Sequence, residues 1–190
     1  MILPATRRSA LLASLLTLAA LPVRAAAQEQ LLTREQALKE VFPEAATTAE
    51  ETRTLSATQR GRLEHDLGRR IDEDEILVSR VFDASGGLRG YAVVSEEVGK
   101  YRPITFMVGV NPDFSVRDVA VMVYRESRGG DVKRKRFLNQ YRGKSARDPI
   151  DVNRDIINIS GATISVRSMN AGVKRVLAEL TALYGTPPPQ

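Results

Sequence analysis

The chain has 190 residues, of which 43% are hydrophobic and 27% are charged, a composition typical of a globular protein of one domain with extensions. It has no cysteine, which excludes disulfides, thiolate-bound metals, c-type haem attachment and iron–sulfur clusters. With His65 as the single histidine, a histidine-based metal site or hydrolytic triad is nearly excluded. Redox chemistry would therefore need an organic cofactor.

Residues 1–27 show the three regions of a secretory signal peptide. Arg7 and Arg8 precede an apolar run over residues 10–21, which is short for a membrane span, and alanines follow at 25–27. Cleavage leaves 25 basic and 23 acidic residues, so the net charge falls from +5 to +2. We expect export to the periplasm or the outer face of the membrane, by the Sec or the twin-arginine route, and no nucleic acid partner.

Residues 28–75 are predicted to form an N-terminal helical segment. Thr33 and Gln36 have capping-box spacing ahead of a short helix that Pro43 ends at Phe42. Ser56 and Gln59 repeat the spacing ahead of an amphipathic helix whose apolar side chains are Leu63, Leu67 and Ile71. His65 falls on a charged stretch of that helix, where a solvated surface position is expected.

From Ile76 onward, β-branched runs alternate with turn residues and predict an antiparallel meander of about four strands. The runs "ITFMVGV" and "VAVMVY" are apolar on both pleat faces, so they are predicted to be central strands covered on both sides by helices. The predicted class is α+β.

Two further helices are predicted after the strands. Asp131 is in position to cap a helix that carries the apolar residues Val132, Phe137, Leu138 and Tyr141. The basic run Lys133–Arg136 on this helix is either a solvated face or a surface for an acidic partner or an anionic membrane. The apolar spacing from Val166 to Tyr184 predicts a long C-terminal helix that ends at Gly185. Residues 186–190 are a proline-rich tail.

The stretch "NISGATISVRS", residues 158–168, sets a hydroxyl-rich turn directly before that last helix. Ser160 and Thr163 can cap the helix, and glycine permits the turn. Alternatively, the free N–H groups and the dipole of the helix N-terminus bind an anion such as a phosphate there. The residues alone leave both interpretations open.

The same stretch resembles the flavinylation motif of the FMN-binding domain family, found in peripheral subunits of sodium-pumping NADH:quinone reductase and of the Rnf electron-transport complex. That motif reads Asp, two residues, Ser or Thr, Gly, Ala, Thr, and its last four positions are matched by Ser160, Gly161, Ala162 and Thr163. The resemblance implies FMN joined by its phosphate to the Thr163 hydroxyl, with the preceding three residues as the phosphate turn. A dedicated flavin transferase that uses FAD and magnesium makes this bond in the family.

The resemblance extends over about Leu77 to Leu183 and includes a second motif, the family's Glu-Ser/Thr-x-Gly turn, which lies beside the flavin. Here the turn reads "ESRG" over residues 126–129. The resemblance thus implies a ring pocket shaped by Glu126, Ser127, Gly129 and Gly130. Gly99 and Lys100 are weaker candidates, because Gly-Lys before a strand is usually just a turn.

One position departs from the family: the acid three residues before Ser160 is replaced by Ile157, and the nearest acids are Asp151 and Asp155. If the family's aspartate positions the threonine or helps the transferase bind, noncovalent FMN or loss of the flavin is the alternative to the phosphoester.

The predicted function is an exported flavoprotein electron carrier, with a domain over residues 76–185 that relays electrons between a membrane redox protein and an extracytoplasmic acceptor. No acid, base or nucleophile of a substrate-converting site is recognisable, so an electron-transfer protein is preferred to an enzyme. The alternative function is a flavin-free or noncovalent module that acts in binding or regulation.

Overall fold

A computed structural model of the chain describes residues 29–73, 75–126 and 128–185. The predicted signal peptide, the proline-rich tail and the predicted site residue Ser127 lie outside these ranges. Within the described ranges, no helix combines the length and the apolar character that a membrane crossing requires.

Six strands and four helices follow one another along the described chain. The strands are β1 (Glu29–Gln30), β2 (Thr47–Thr54), β3 (Glu75–Phe82), β4 (Leu88–Val98), β5 (Pro103–Val110) and β6 (Val116–Tyr124). The helices are α1 (Arg34–Val41), α2 (Ala57–Leu67), α3 (Lys135–Leu138) and α4 (Thr163–Tyr184).

The strands form one antiparallel sheet in the order β1-β6-β5-β4-β3-β2. The four strands β3 to β6 are the predicted meander, and the α+β class is confirmed. β5 and β6 are buried along most of their length on both pleat faces, as their apolar sequences predicted.

The N-terminal segment joins this sheet through a strand that the sequence did not reveal. Both predicted capping boxes are present, with the Thr33 and Ser56 hydroxyls each accepting from a glutamine N–H at 3.2 Å. Between the two helices, however, β2 pairs with β3 along its whole length. Because β2 is an exposed edge strand with the sequence "TTAEETRT", it carries no hydrophobic periodicity. Ile71 lies beyond the second helix, which ends at Gly68 in the left-handed conformation.

Helices cover both faces of the sheet. On one face, α1 packs against β5 and β6, and the Val41 and Phe42 side chains lie over Gly109, where a Cβ would come within 2.0 Å of Val41. On the other face, α4 packs against β4 and β5, with α2 beside it. The sheet is therefore the middle layer of the fold, and β5 lies beneath helices on both sides.

The prediction of one continuous helix after Asp131 is wrong. The segment divides into a 3-10 turn at Gly130–Lys133, the single-turn helix α3, and a second 3-10 turn at Asn139–Tyr141. Arg134 interrupts it with extended backbone angles. The apolar residues of the segment are buried all the same, because each turn directs one or two of them into the core.

A cluster of charged side chains is buried between α4 and the sheet. Arg175 donates to Glu97 at 3.2 Å, to Glu179 at 3.3 Å and to Ser95 at 3.0 Å, and Arg69 donates to the other oxygen of Glu97 at 2.9 Å. Glu179 is 1% exposed, and its Oε2 has no hydrogen-bond partner among the described residues.

Burial raises the pKa of Glu179 from 4.5 to about 6, against the opposing attraction of Arg175. The native state therefore binds the proton of Glu179 more tightly than the unfolded state does. This contribution to stability is complete below about pH 4.5 and is lost as the pH rises through 6. For Glu179→Gln we expect this decline, about 2 kcal/mol in the free energy of unfolding, to disappear. Urea titrations between pH 4 and 8 measure it. Glu75→Gln, at an exposed site of β3, is the matched control, and an unchanged pH slope in Glu179→Gln would contradict the prediction.

Gly172 sets the distance between α4 and the sheet. A Cβ at this position would lie 2.6 Å from Cζ of Phe106 and 2.7 Å from Cγ of Glu97. We expect Gly172→Ala to lower the free energy of unfolding by about 1–3 kcal/mol through overpacking, despite the higher helix propensity of alanine. Gly61→Ala in α2 is the control: apart from its chain neighbours and the backbone of its own helix, no atom of the described residues lies within 4 Å of its Cβ position, so it should stabilise by about 0.5–1 kcal/mol. Chemical denaturation of both variants decides the matter, and two changes of the same sign would refute this account of Gly172.

Candidate functional site

A cavity of about 480 Å³ opens where the N-terminus of α4 meets the β4–β5 turn and the segment after β6. Its volume falls within the range of about 300–1,000 Å³ that is usual for cofactor sites. Its lining combines a glycine turn, the first residues of α4, and two cations with one carboxylate: Lys100, Tyr101, Glu126, Arg128, Gly161, Ala162, Thr163, Ile164 and Ser165.

The turn before α4 and the first residues of the helix line this cavity. Gly161 has a φ of 77°, which glycine adopts without strain, and apart from its chain neighbours no atom of the described residues lies within 4 Å of its Cβ position. The first helical hydrogen bond of α4 runs from Val166 N–H to Ala162 C=O at 2.9 Å, so the N–H groups of the three preceding residues lie outside the helical ladder.

The capping interpretation of the hydroxyls is wrong. Ala162 occupies the N-cap position, and no side chain among the described residues caps this helix. The Ser160 side chain is exposed, while Thr163 is the first helical residue and is half-buried. The uncapped N-terminus retains its partial positive charge, which leaves the anion-binding interpretation of the turn.

The hydroxyl of Thr163 is held by a neighbour in the same turn. The Asn158 amide donates from Nδ2 to Thr163 Oγ1 at 2.9 Å. The Asn158 Oδ1 atom is buried and has no hydrogen-bond partner among the described residues. Asn158 also lines a second cavity, of about 390 Å³, on the side of Phe137 and Gln140.

The Glu126 carboxylate organises the β4–β5 turn. Its Oε1 accepts from the backbone N–H groups of Tyr101 at 2.6 Å and Arg102 at 3.0 Å. A Cβ on Gly99 would lie 2.7 Å from the same oxygen, so this close approach requires glycine. Glu126 thereby fixes the turn that places Lys100 and the 74% exposed Tyr101 at the mouth of the cavity.

Tyr124 supports the segment that follows β6. Its buried hydroxyl donates to the Arg128 carbonyl at 2.6 Å and lies 3.4 Å from Ser165 Oγ. Burial raises the pKa of this tyrosine, so it stays neutral and acts as a donor. Gly129, with a φ of 78°, passes so close that a Cβ would lie 3.0 Å from the Tyr124 oxygen and 3.3 Å from Ala162 Cβ. Backbone of this segment thus forms the back of the cavity.

The Ile157 position, where the family motif has an acid, faces solvent. Its side chain is 77% exposed, and its backbone N–H donates to Gln140 Oε1 at 2.7 Å. Asp155 does not stand in for the acid, because its carboxylate is bonded to Lys144 at 2.9 Å and accepts from the N–H groups of Ile150 and Asp151.

The structure therefore brings together most of the residues that the sequence singled out. Five line the cavity, namely Thr163, Gly161, Ala162, Glu126 and the weaker candidate Lys100, and Gly129 lies directly behind it. Ser160 is exposed beside the cavity, and Gly130 lines a separate depression with Asp131, Lys133 and Arg134.

Sequence reasoning missed Tyr101, Tyr124, Asn158 and Ser165. The signal that could have found Asn158 is an amide five residues before Thr163 in the same turn, whereas Tyr124 reads as an ordinary strand end. Tyr101 and Tyr124 are placed by tertiary contacts that no short motif contains, whereas Asn158 and Ser165 lie within the stretch of residues 158–168.

The fold and the cavity define a small α+β domain whose uncapped helix N-terminus and two flanking cations suit a phosphorylated cofactor. Residues 99–178 match the model of the FMN-binding domain family. Over these residues the chain is similar to that family, and FMN is the cofactor that the match indicates.

A curated relative agrees with this assignment. Over 103 residues the chain is 29% identical to the G component of the proton-translocating ferredoxin:NAD(+) oxidoreductase complex of Clostridium ljungdahlii, a match that covers 50% of this chain and 55% of the relative. The chain thus spans about half the length of this curated relative.

Two solved structures share the fold. Shewanella oneidensis NqrC superposes with a TM-score of 0.50 at 18% identity, over 72% of this chain and 80% of that one. The C component of the Na(+)-translocating NADH-quinone reductase from Parabacteroides distasonis superposes with a TM-score of 0.52 at 12% identity, over 83% and 87%. At these identities the likeness shows the fold alone.

Removal of the Glu126 carboxylate should release the β4–β5 turn. In Glu126→Ala the N–H groups of Tyr101 and Arg102 lose the acceptor that both share, and we expect their amide hydrogen exchange to accelerate by about tenfold or more, as the loss of roughly 1.5–3 kcal/mol per charged hydrogen bond implies. Glu96→Ala is the control, because Glu96 accepts from the Thr105 and Arg125 side chains instead. Unchanged protection at both amides in Glu126→Ala would contradict the role of this carboxylate.

Proposed function

We propose that this protein is an exported flavoprotein electron carrier in which the phosphate of FMN is esterified to Thr163. The observation that carries the proposal is the position of the Thr163 hydroxyl, at the first residue of an uncapped helix and on the wall of the cavity. The matching family model and the cofactor of that family support it.

The phosphate end of the cofactor has a suitable environment in the turn. The N–H groups of the first residues of α4 and the open backbone at Gly161 can donate to phosphate oxygens. Lys100 and Arg128 line the same cavity and supply positive charge. A phosphoester at Thr163 would therefore be stabilised by the backbone and by cations of two separate segments.

The flavin ring has apolar surface available beside the turn. The side chains of Tyr101 and Ile164 are 74% and 46% exposed, and both line the cavity. We propose that they contact the ring, with the Glu126 and Gly129 segments as its frame. The bound ring accepts and releases electrons, and the protein holds it at the surface within reach of a partner.

An electron relay fits the cavity better than substrate conversion does. Its carboxylate, Glu126, is committed to two backbone N–H groups. The Tyr124 hydroxyl, behind the cavity, is a buried donor, and burial raises its pKa. Neither group is available as a general base, which a substrate-converting site would require.

The partners follow from this function. We propose a flavin transferase that modifies Thr163, a membrane-bound redox protein as electron partner, and an extracytoplasmic acceptor. The oxidoreductase and reductase complexes named for the relatives support a redox partner, and the signal-peptide pattern of residues 1–27 supports export. A covalent tether would retain the cofactor outside the cytoplasm, since it keeps the effective concentration high.

The proposal also divides the chain into two parts. The cofactor-binding unit spans residues 76–185, and residues 28–75 are its N-terminal extension. The basic run Lys133–Arg136 remains a candidate for peripheral contact with an anionic membrane or an acidic partner, since Arg134 and Arg136 are exposed.

The alternative is a domain that binds FMN without the covalent bond, or that lost the flavin and acts in binding or regulation. The specific observation in its favour is Ile157, whose exposed side chain cannot act as the motif's acid.

The intact mass of the protein, produced together with a flavin transferase, tests the covalent proposal. We expect wild type to gain the mass of one FMN with loss of water, and Thr163→Val, a near-isosteric change that removes the hydroxyl, to gain none. Thr181→Val is the matched control, since its hydroxyl is bonded within α4 to the Leu177 carbonyl. An adduct that survives Thr163→Val, or a wild type without adduct, contradicts esterification at this residue. Yellow protein without adduct supports noncovalent FMN, and protein that stays colourless after reconstitution supports the flavin-free alternative.

A further inference from the structure

We propose that Asn158 is the positioning residue for Thr163: its amide orients the hydroxyl before esterification and donates to the ester oxygen afterwards. This inference rests on the proposed covalent attachment and assigns to Asn158 a role that the motif's acid cannot have in this chain.

The contact is direct and well placed. Asn158 Nδ2 lies 2.9 Å from Thr163 Oγ1, at the wall of the cavity. The loop around Asn158 is fixed by Gln140, whose Oε1 accepts from the Ile157 N–H at 2.7 Å and whose Nε2 donates to the Ile157 carbonyl at 3.5 Å. Because the neighbouring backbone is held in this way, the amide has a defined direction toward Thr163.

The second amide atom makes the arrangement unusual. Asn158 Oδ1 is buried without a hydrogen-bond partner among the described residues. A buried acceptor without a partner is costly, and such a group invites a functional explanation. Packing alone therefore does not account for an asparagine at this position, whereas its hydrogen bond to the Thr163 hydroxyl does.

An amide suits both states of this hydroxyl. Before transfer, the threonine O–H is a donor and needs an acceptor, which an amide supplies through Oδ1 after a 180° rotation of its plane. The transfer forms the bond from Thr163 Oγ to the phosphorus of the FMN half of FAD, breaks the phosphoanhydride bond, and releases AMP and the hydroxyl proton. Afterwards the ester oxygen has no hydrogen and can only accept, and Nδ2 is then the partner it needs.

The motif's acidic position cannot do this here. The Ile157 side chain is 77% exposed, so a carboxylate in its place would point to solvent, while the next residue reaches Thr163. The position that contacts the hydroxyl is thus shifted by one residue from the position that the family motif marks.

Three variants of the full chain test the inference in a reaction with purified flavin transferase, FAD and Mg²⁺. Asn158→Leu keeps the size and removes both polar atoms, Asn158→Asp keeps an acceptor, and Asn139→Leu makes the same change at an exposed site of the 3-10 turn Asn139–Tyr141. We expect the initial rate of FMN mass gain to fall by more than about tenfold in Asn158→Leu, as misplacement of a reacting group implies. Asn158→Asp should load faster than Asn158→Leu, and Asn139→Leu should load like wild type.

Wild-type loading in Asn158→Leu overturns the inference, and so does a loss in Asn158→Leu that Asn158→Asp fails to relieve. Thermal unfolding of the unloaded proteins shows whether a variant has lost its fold instead. In that case Asn158→Ser, which keeps a smaller polar group, replaces Asn158→Leu in the comparison with Asn158→Asp.

A second readout needs no flavin. Three-bond NMR couplings about the Cα–Cβ bond of Thr163 in the unloaded protein should report one side-chain rotamer in wild type and averaging in Asn158→Leu. Equal couplings in both proteins overturn the positioning role. A wild type that shows the single rotamer but gains no FMN mass contradicts the covalent function while the positioning by Asn158 stands.

Discussion

The close packing of α4 on the sheet is the constraint on which the rest of the site depends. Gly172 allows the helix to approach β4 and β5, and the Ser168 hydroxyl ties its first turns to the Val98 carbonyl at 2.6 Å. The N-terminus of α4 is thereby held at the end of β4, directly beside the β4–β5 turn. The cavity exists because these two segments meet there without filling the space between them.

Side chains around that cavity hold the backbone segments that frame it. Glu126 accepts from two backbone N–H groups, and Tyr124 donates its hydroxyl to the Arg128 carbonyl. Such contacts fix geometry and leave the chemistry to the cofactor. This division suits the composition, because a domain with one histidine and no cysteine has few reactive groups of its own.

The sequence predicted the parts of this structure that local patterns encode. β-branched runs separated by turn residues predicted the strands β3 to β6, and capping boxes predicted the starts of α1 and α2. Edge strand β2 was not predicted, because a strand with exposed faces needs no apolar residues. The helix that apolar spacing favoured after Asp131 is interrupted at Arg134, where the backbone is extended. At the site, the motif predicted which turn lines the cavity, whereas the Asn158 contact depends on how the loop closes, which the motif does not specify.

The two edges of the sheet have a consequence for how the chain avoids aggregation. β1 is only two residues long, and the opposite edge strand, β2, carries Glu50, Glu51 and Arg53. A short strand and a charged strand are poor templates for the addition of another chain. Both edge strands of the described sheet thus resist strand pairing with a second copy, and this protects the apolar strand β5 in the interior of the sheet.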